Sequence, residues 1–290
     1  MKTILLAGCN GQVGAELVTA LSGVGRVIAC DRKALDLADP AAIAEKIRTV
    51  GPSIVVNAAA YTAVDRAEQE PALAHAINAV APAVMAEEVR RRGGLLVHYS
   101  TDYVFDGDKD GAYTEEDTPN PLNIYGHSKL AGERAIVSSG CEHLIFRTSW
   151  VYGARGANFL LTMLRLAAER SELKLVDDQV GAPTWSRDIA QATATILAAR
   201  GGLADARGLF HLSAAGHTTW LNFAQAIFAA GLQGARGPHL IPISAEQYGA
   251  PALRPRNSQL DGRRLREAFR IQIPDWQFSL HQCLAAMGRT

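Results

Sequence analysis

Cysteine is scarce in this 290-residue chain: only Cys9, Cys30, Cys141 and Cys283. No two of them form a C-x-x-C pair or match a zinc spacing, which argues against a disulfide framework and a zinc site alike. The expectation is four reduced, mostly buried thiols. Surplus charge is lacking too, since 29 Lys plus Arg balance 29 Asp plus Glu. A neutral chain offers no electrostatic ground for a nucleic-acid or anionic-membrane partner. No apolar run approaches the roughly 18 residues of a membrane span, and the run after Met1-Lys2-Thr3 is too short for a secretory signal. A cytoplasmic location is therefore expected. Hydrophobic residues at 48% and charged residues at 20% are ordinary for a globular protein and exclude disordered, collagen-like and coiled-coil classes. The length suits about two domains.

Strand–helix alternation is what the sequence has in abundance. Apolar runs at 3–8, 26–31, 53–59, 95–101 and 143–152 lack strict polar alternation, as strands buried on both faces do. Between them, 12–22, 40–50, 72–92 and 126–139 have helical composition. Asp39 before Pro40 reads as an N-cap followed by a first helical residue. The pattern predicts an α/β fold, a Rossmann-type doubly wound parallel sheet, with dinucleotide binding assigned to residues 1–152. A segment at about 177–215 is expected to return to that domain. Residues 153–176 and 216–290 are expected to form a smaller C-terminal α/β lobe that takes the substrate. There 157–170, 219–230, 259–270 and 275–287 read as helices, 173–176 and 208–213 as strands, and 231–238 and 244–255 as loops.

The first strand ends in Gly8-Cys9-Asn10-Gly11-Gln12-Val13-Gly14, a G-x-x-G-x-x-G spacing where a strand hands over to a helix. Glycines let the backbone approach a diphosphate, and the N–H groups of the helix start point at it. The second strand ends in Asp31, an acidic residue placed for a ribose 2′-hydroxyl. Arg32 follows it, and a guanidinium attracts a 2′-phosphate. The pair points to use of NADH or NADPH without ranking them.

The fourth strand ends at Thr101, on the edge where ligands meet open α/β sheets. Further on, Tyr125 and Lys129 stand four apart at the start of a helix and share a face. A phenol titrates near 10, and a neighbouring ammonium is expected to bring it toward useful acid range. Thr101 adds a hydroxyl for a carbonyl oxygen. Ketone reduction needs these parts: a proton donor, an orienting group and a bound hydride source.

Together with Val56–Asp65, His98–Phe105, Pro121–Glu133, Phe146–Tyr152, Asp178–Thr184 and Arg254–Ser258, these motifs resemble the extended short-chain dehydrogenase/reductase superfamily. Within it the chain is most similar to the dTDP-4-dehydrorhamnose reductases. The resemblance implies reduction of the C4 ketone of dTDP-4-dehydro-β-L-rhamnose, with Tyr125 as proton donor, Lys129 as its partner and ribose ligand, and Thr101 as third catalytic member. It places Thr101, Asp102, Tyr103 and Trp150 at the sugar nucleotide and, by analogy, Arg254 and Asn257 near its nucleotide part. Gly8, Asn10, Gly11, Gln12, Val13 and Gly14 match the diphosphate loop, Asp31 and Arg32 the ribose end, and Asp36 and Leu37 the adenine side. Ala58, Ala59, Ala60, Tyr61, Thr62 and Tyr99 match further cofactor contacts. The implied partner is a dTDP-sugar, with the chain a monomer or weak homodimer.

Sugar-nucleotide dehydratases share the scaffold but read Thr-Asp-Glu where this chain reads Thr101-Asp102-Tyr103. No positive sign marks an epimerase. A regulatory subunit like that of methionine adenosyltransferase is the non-enzyme alternative, and the intact Thr101, Tyr125 and Lys129 set stands against it. Some family members are proposed to dimerise around a metal held by carboxylates. Glu16 matches one of them, but Arg187 stands at another, and a guanidinium cannot ligate a cation. No metal site is expected. His75 and His127 read as ordinary helix residues without a metal role, His98 as a satisfied core or near-cofactor side chain, and Trp220 and Trp276 as packing within the small lobe.

Overall fold

The apolar runs assemble into one parallel sheet in a computed structural model, which describes residues 2–199, 207–232 and 237–289. In chain order the first half reads β1 Thr3–Ala7, α1 Gln12–Ala20, β2 Arg26–Cys30, α2 Pro40–Val50, β3 Ile54–Asn57, α3 Val64–Ala67, α4 Pro71–His75, α5 Ala81–Arg92, β4 Leu95–Thr101, α6 Ile124–Ser139 and β5 Glu142–Thr148. The second half reads β6 Val151–Tyr152, α7 Phe159–Glu169, β7 Glu172–Val176, β8 Val180–Gly181, β9 Thr184–Trp185, α8 Ser186–Ala199, β10 Gly208–His211, β11 Thr218–Thr219, α9 Trp220–Gly231, β12 His239–Ile243, α10 Ala245–Tyr248, α11 Arg263–Phe269 and α12 Trp276–Ala286.

The main sheet runs β10-β5-β4-β3-β1-β2, every neighbour parallel. The order reverses between β1 and β3, and that reversal opens a crevice beyond the carboxyl ends of the strands. Ile4, Leu5 and Leu6 are all fully buried because helices cover both faces. Ile4, Leu6, Val56 and Val97 pack with Leu17 of α1 and Ile189 of α8. Leu5, Val55, Leu96 and Ile145 pack on the other side with Ile43 of α2, Met85 of α5 and Ile136 of α6. Asp39 caps α2 by accepting from Ala41 and Ala42 N–H, both at 3.0 Å. β10 extends the main sheet and α8 packs on α1, while α7, α9, α12 and the β7–β12 ribbon pack among themselves. Among the described residues, no helix is long and apolar enough to cross a membrane.

Several expectations shift. The helix expected at 72–92 is α4 and α5 joined through a π-helical turn, Ala76–Val80. Asn78 sits in that turn with its side chain buried and bonded to the Tyr61 backbone and to Ser128, contacts made outside its own helix. The strand expected at 143–152 stops at Thr148, because Trp150 takes a left-handed backbone, φ 47°, and redirects the chain into β6. The loop expected at 244–255 contains α10, closed by a capping box between Ser244 and Gln247. The loop expected at 231–238 lies partly outside the described residues. Helix α8 and strand β12 were not anticipated.

Candidate active site

At the end of β1, Gly8 has φ +82°, and a Cβ there would lie 2.8 Å from the Ala59 nitrogen. A Cβ on Gly14 would collide with the Gly8 carbonyl oxygen. Strand, turn and helix therefore pass closer than side chains allow. Gly11 begins α1 with no side-chain cap, so the first N–H groups of the helix keep their capacity for an anion. This cradle fits a dinucleotide's diphosphate. Around it, the Gln12 amide oxygen accepts from Asn158 at 2.9 Å, and Val13 packs on the core. Asp31 accepts from Ala34 N–H at 2.9 Å and from the Asn10 amide at 3.5 Å. Arg32 is exposed, 3.9 Å from the Asp36 carboxylate. Leu37 buries its side chain in the core, which leaves its main chain to meet a ligand. Ala58, Ala59 and Ala60 line the half-buried turn after β3, and Thr62 is exposed. The Tyr61 phenol donates to Glu70 at 2.6 Å.

The candidate catalytic residues sit two strands from β1, at the end of β4. Asn123 caps α6 by accepting from Gly126 N–H at 2.8 Å, and this sets Tyr125 in the first turn facing the end of β4. The Thr101 hydroxyl donates to Asp102 Oδ1 at 2.9 Å and accepts from Tyr103 N–H at 3.2 Å, with the Tyr125 phenol beside it. Asp102 is buried. Among the described residues its partners are the hydroxyls of Thr101 and of Ser149 at 3.0 Å, with Ser258 beside them, and none is a cation. Burial pushes its carboxyl up to about 6 against the pull of those hydroxyls. Burial likewise pushes the Tyr125 phenol up to about 12, opposed by Thr101 and helped by the Asp102 charge.

The expected acidification of Tyr125 by Lys129 is not what the structure shows. The Lys129 amine is bonded to the Tyr99 carbonyl oxygen of β4 at 2.6 Å and lies 3.2 Å from His98 Nε2. Burial pushes the amine down to about 8, with the Glu133 charge one turn on opposing. The backbone carbonyl claims the amine, and the phenol keeps its proton.

Other predicted residues divide. Tyr103 meets Tyr125 edge to face, centroids 5.8 Å apart, and lies beside Arg254, which donates to Asp65 at 2.8 Å. Trp150 stacks flat on Trp220, centroids 3.5 Å apart, so Trp220 reaches the cleft edge as well as the lobe. Tyr99 turns its phenol to Thr193 of α8 at 2.8 Å and offers the site only its carbonyl. Asn257 spends its amide on the Lys109 and Gly111 carbonyls at 2.7 and 2.6 Å and its oxygen on Gln259 N–H. Asn57, Ser149, Ser258 and Trp220 are site neighbours to which the sequence reading gave no site role, although Asn57, Ser149 and Ser258 lie in the motifs that carry the resemblance; His98, read as a core or near-cofactor side chain, lies against Lys129. Arg187 donates to Glu16 at 3.0 Å and lies over the Trp185 ring. Among the described residues no three His, Cys, Asp or Glu side chains gather as metal ligands.

Known proteins match this arrangement over the whole chain. The family profile described as the RmlD substrate binding domain matches residues 1–289. The dTDP-4-dehydrorhamnose reductase of Burkholderia thailandensis is 47% identical over 290 residues, with 97% of each chain covered. That of Escherichia coli K12 is 44% identical over 296 residues, covering 99% of this chain and 98% of the relative. The crystal structure of the Bacillus anthracis dTDP-4-dehydrorhamnose reductase in complex with NADP superposes with a TM-score of 0.92 at 35% identity, covering 98% of this chain and 99% of that one. The chain belongs to the RmlD substrate-binding-domain family, together with these dTDP-4-dehydrorhamnose reductases.

Proposed function

We propose that this chain reduces the C4 ketone of dTDP-4-dehydro-β-L-rhamnose to dTDP-β-L-rhamnose, using NADPH or NADH. The observation that carries the reading is the grouping of Tyr125 with the hydrogen-bonded Thr101–Asp102 pair at the carboxyl edge of the sheet, beside a glycine cradle that fits a diphosphate. The reductase relatives and the NADP-bound structure support the reaction and the cofactor. When bound, the reduced nicotinamide supplies the hydride that C4 receives.

The residues of this chain do the rest. Tyr125 gives its O–H proton to the carbonyl oxygen as that oxygen becomes an alkoxide. A phenol held up at about 12 retains the proton until then. Thr101, anchored by Asp102, orients the oxygen. Lys129 holds ribose hydroxyls, Gly11 to Gly14 take the diphosphate, and Asp31 and Arg32 take the adenosine ribose. Trp150, Tyr103 and Arg254 flank the sugar nucleotide, with Asp102 at the sugar. Residues 1–152 and about 177–215 serve the dinucleotide, and the remainder closes over the substrate. The working form is a monomer or weak homodimer in the cytoplasm, with no nucleic-acid or membrane partner. The test is consumption of NADPH or NADH by the purified chain, with the keto-sugar nucleotide generated in situ. No consumption with either dinucleotide sinks the reading.

A further inference from the structure

The surroundings of Lys129 fix more than its position. Lys129 and His98 are each 1% exposed. His98 presents Nε2 to the Lys129 amine at 3.2 Å and Nδ1 to the Asn57 side-chain nitrogen at 3.1 Å. The Asn57 amide is oriented by its neighbour, because Ala59 N–H donates to Asn57 Oδ1 at 3.2 Å. Its NH₂ group therefore faces the imidazole, and an NH₂ only donates. His98 Nδ1 must then be the bare, accepting nitrogen. A neutral ring with a bare Nδ1 carries its proton on Nε2, aimed at Lys129. An Nε2–H needs a lone pair to point at, and only an uncharged amine has one.

The alternatives are disfavoured on the same grounds. A charged imidazolium would oppose N–H to the Asn57 NH₂ on one side and to the amine on the other. Burial, the largest cause, holds His98 well below the ordinary histidine range. The groups facing Lys129 do not demand an ammonium either. Glu133 on α6 is occupied by both arms of Arg147 of β5, at 2.9 and 2.7 Å. Asp102 serves Thr101 and Ser149, Tyr125 is a neutral phenol, and β4 contributes His98 and the Tyr99 carbonyl. Asn57 is the contribution of β3.

We propose that the Asn57–His98 pair biases Lys129 toward the neutral amine in the dinucleotide-free protein, and that His98 changes tautomer when Lys129 takes a proton. His98 and Asn57 are positioning residues that act through Lys129. The ammonium form needs a bare Nε2, hence an Nδ1–H turned against the Asn57 NH₂, so the chain of hydrogen bonds biases the amine toward neutrality.

The test uses the full, ligand-free chain labelled with ¹⁵N-histidine and reads the ring nitrogens by two-bond ¹⁵N–¹H correlation. The His98 signals are assigned by their loss in His98→Gln. At about pH 9, above the amine's value of about 8, the proposal expects the Nε2–H tautomer, with Nδ1–H gaining population as the pH falls through that value. An Nδ1–H tautomer or an imidazolium at about pH 9 overturns it. Asn57→Asp keeps an oxygen for Ala59 N–H and turns a second acceptor toward Nδ1, so it should move His98 to Nδ1–H at that same pH. Retention of Nε2–H in that folded variant also overturns the proposal, and if the variant does not fold, the wild-type titration decides alone. Neither readout involves the keto-sugar, so a chain that shows the tautomer switch but no turnover refutes the functional reading and leaves this one standing.

Discussion

Two buried carboxylates sit beside α6, and they are treated in opposite ways. Glu133, 4% exposed, meets the Arg147 guanidinium through two hydrogen bonds. Asp102, 3% exposed, meets only hydroxyls besides its local backbone, and burial pushes its carboxyl up to about 6. The first ties α6 to β5 as a strut, its charge answered in full. The second leaves a carboxyl poised to titrate beside a phenol and a threonine hydroxyl. Burial without a counter-charge is costly, and a protein that keeps it at a cleft keeps it where protons are handled. The difference separates the scaffold end of the helix from its reactive end over three turns or less.

That separation can be broken by experiment. Tyr125→Phe removes the proposed proton donor and nothing from the strut, so kcat should fall by roughly 10²–10⁴-fold while the melting temperature and dinucleotide affinity hold. Near-normal turnover would mean the reactive end lies elsewhere. Glu133→Ala leaves Arg147 buried and unpaired, which should cost about 3–5 kcal/mol of stability in denaturant titration. A loss near zero would show that the strut carries no load.

Asp102→Asn sharpens the contrast at smaller scale. The folded carboxyl is raised from 3.8 to about 6, so the folded state holds its proton to higher pH than the unfolded chain does. The stability this gives is fully present below about 4 and is lost as pH rises through about 6. The asparagine variant lacks that loss. Its melting temperature should therefore gain on the wild type between those limits and run parallel to it above them. A constant gap would mean that Asp102 is already charged in the acid range.

Much of this architecture was legible in the residues. Unalternating apolar runs marked strands buried on both faces, and Asp39-Pro40 marked the start of α2 at the observed residue. Gly8 to Gly14 and the pairing of Tyr125 with Lys129 located the two ends of the site. What escaped was set by contacts remote in sequence. Trp150 breaks its strand with a left-handed backbone, φ 47°, while its indole lies flat against Trp220, 70 residues on. Pattern reasoning continued the strand because Val151 and Tyr152 are apolar too. The direction of the Lys129 amine was misjudged for a similar reason. Four-residue spacing puts Tyr125 and Lys129 on one face, but it cannot show that the Tyr99 carbonyl stands within 2.6 Å of the amine. Asn257 was placed by analogy near the nucleotide, and its amide is consumed by the backbone at Lys109 and Gly111.

The most direct measurement of the account follows the hydride itself. The wild-type chain would be given dTDP-4-dehydro-β-L-rhamnose and dinucleotide carrying deuterium at the reactive position of the reduced nicotinamide, and the product examined by NMR. The account predicts dTDP-β-L-rhamnose with deuterium bound to C4 and nowhere else on the sugar. Product lacking deuterium at C4, or label at another carbon, would contradict it.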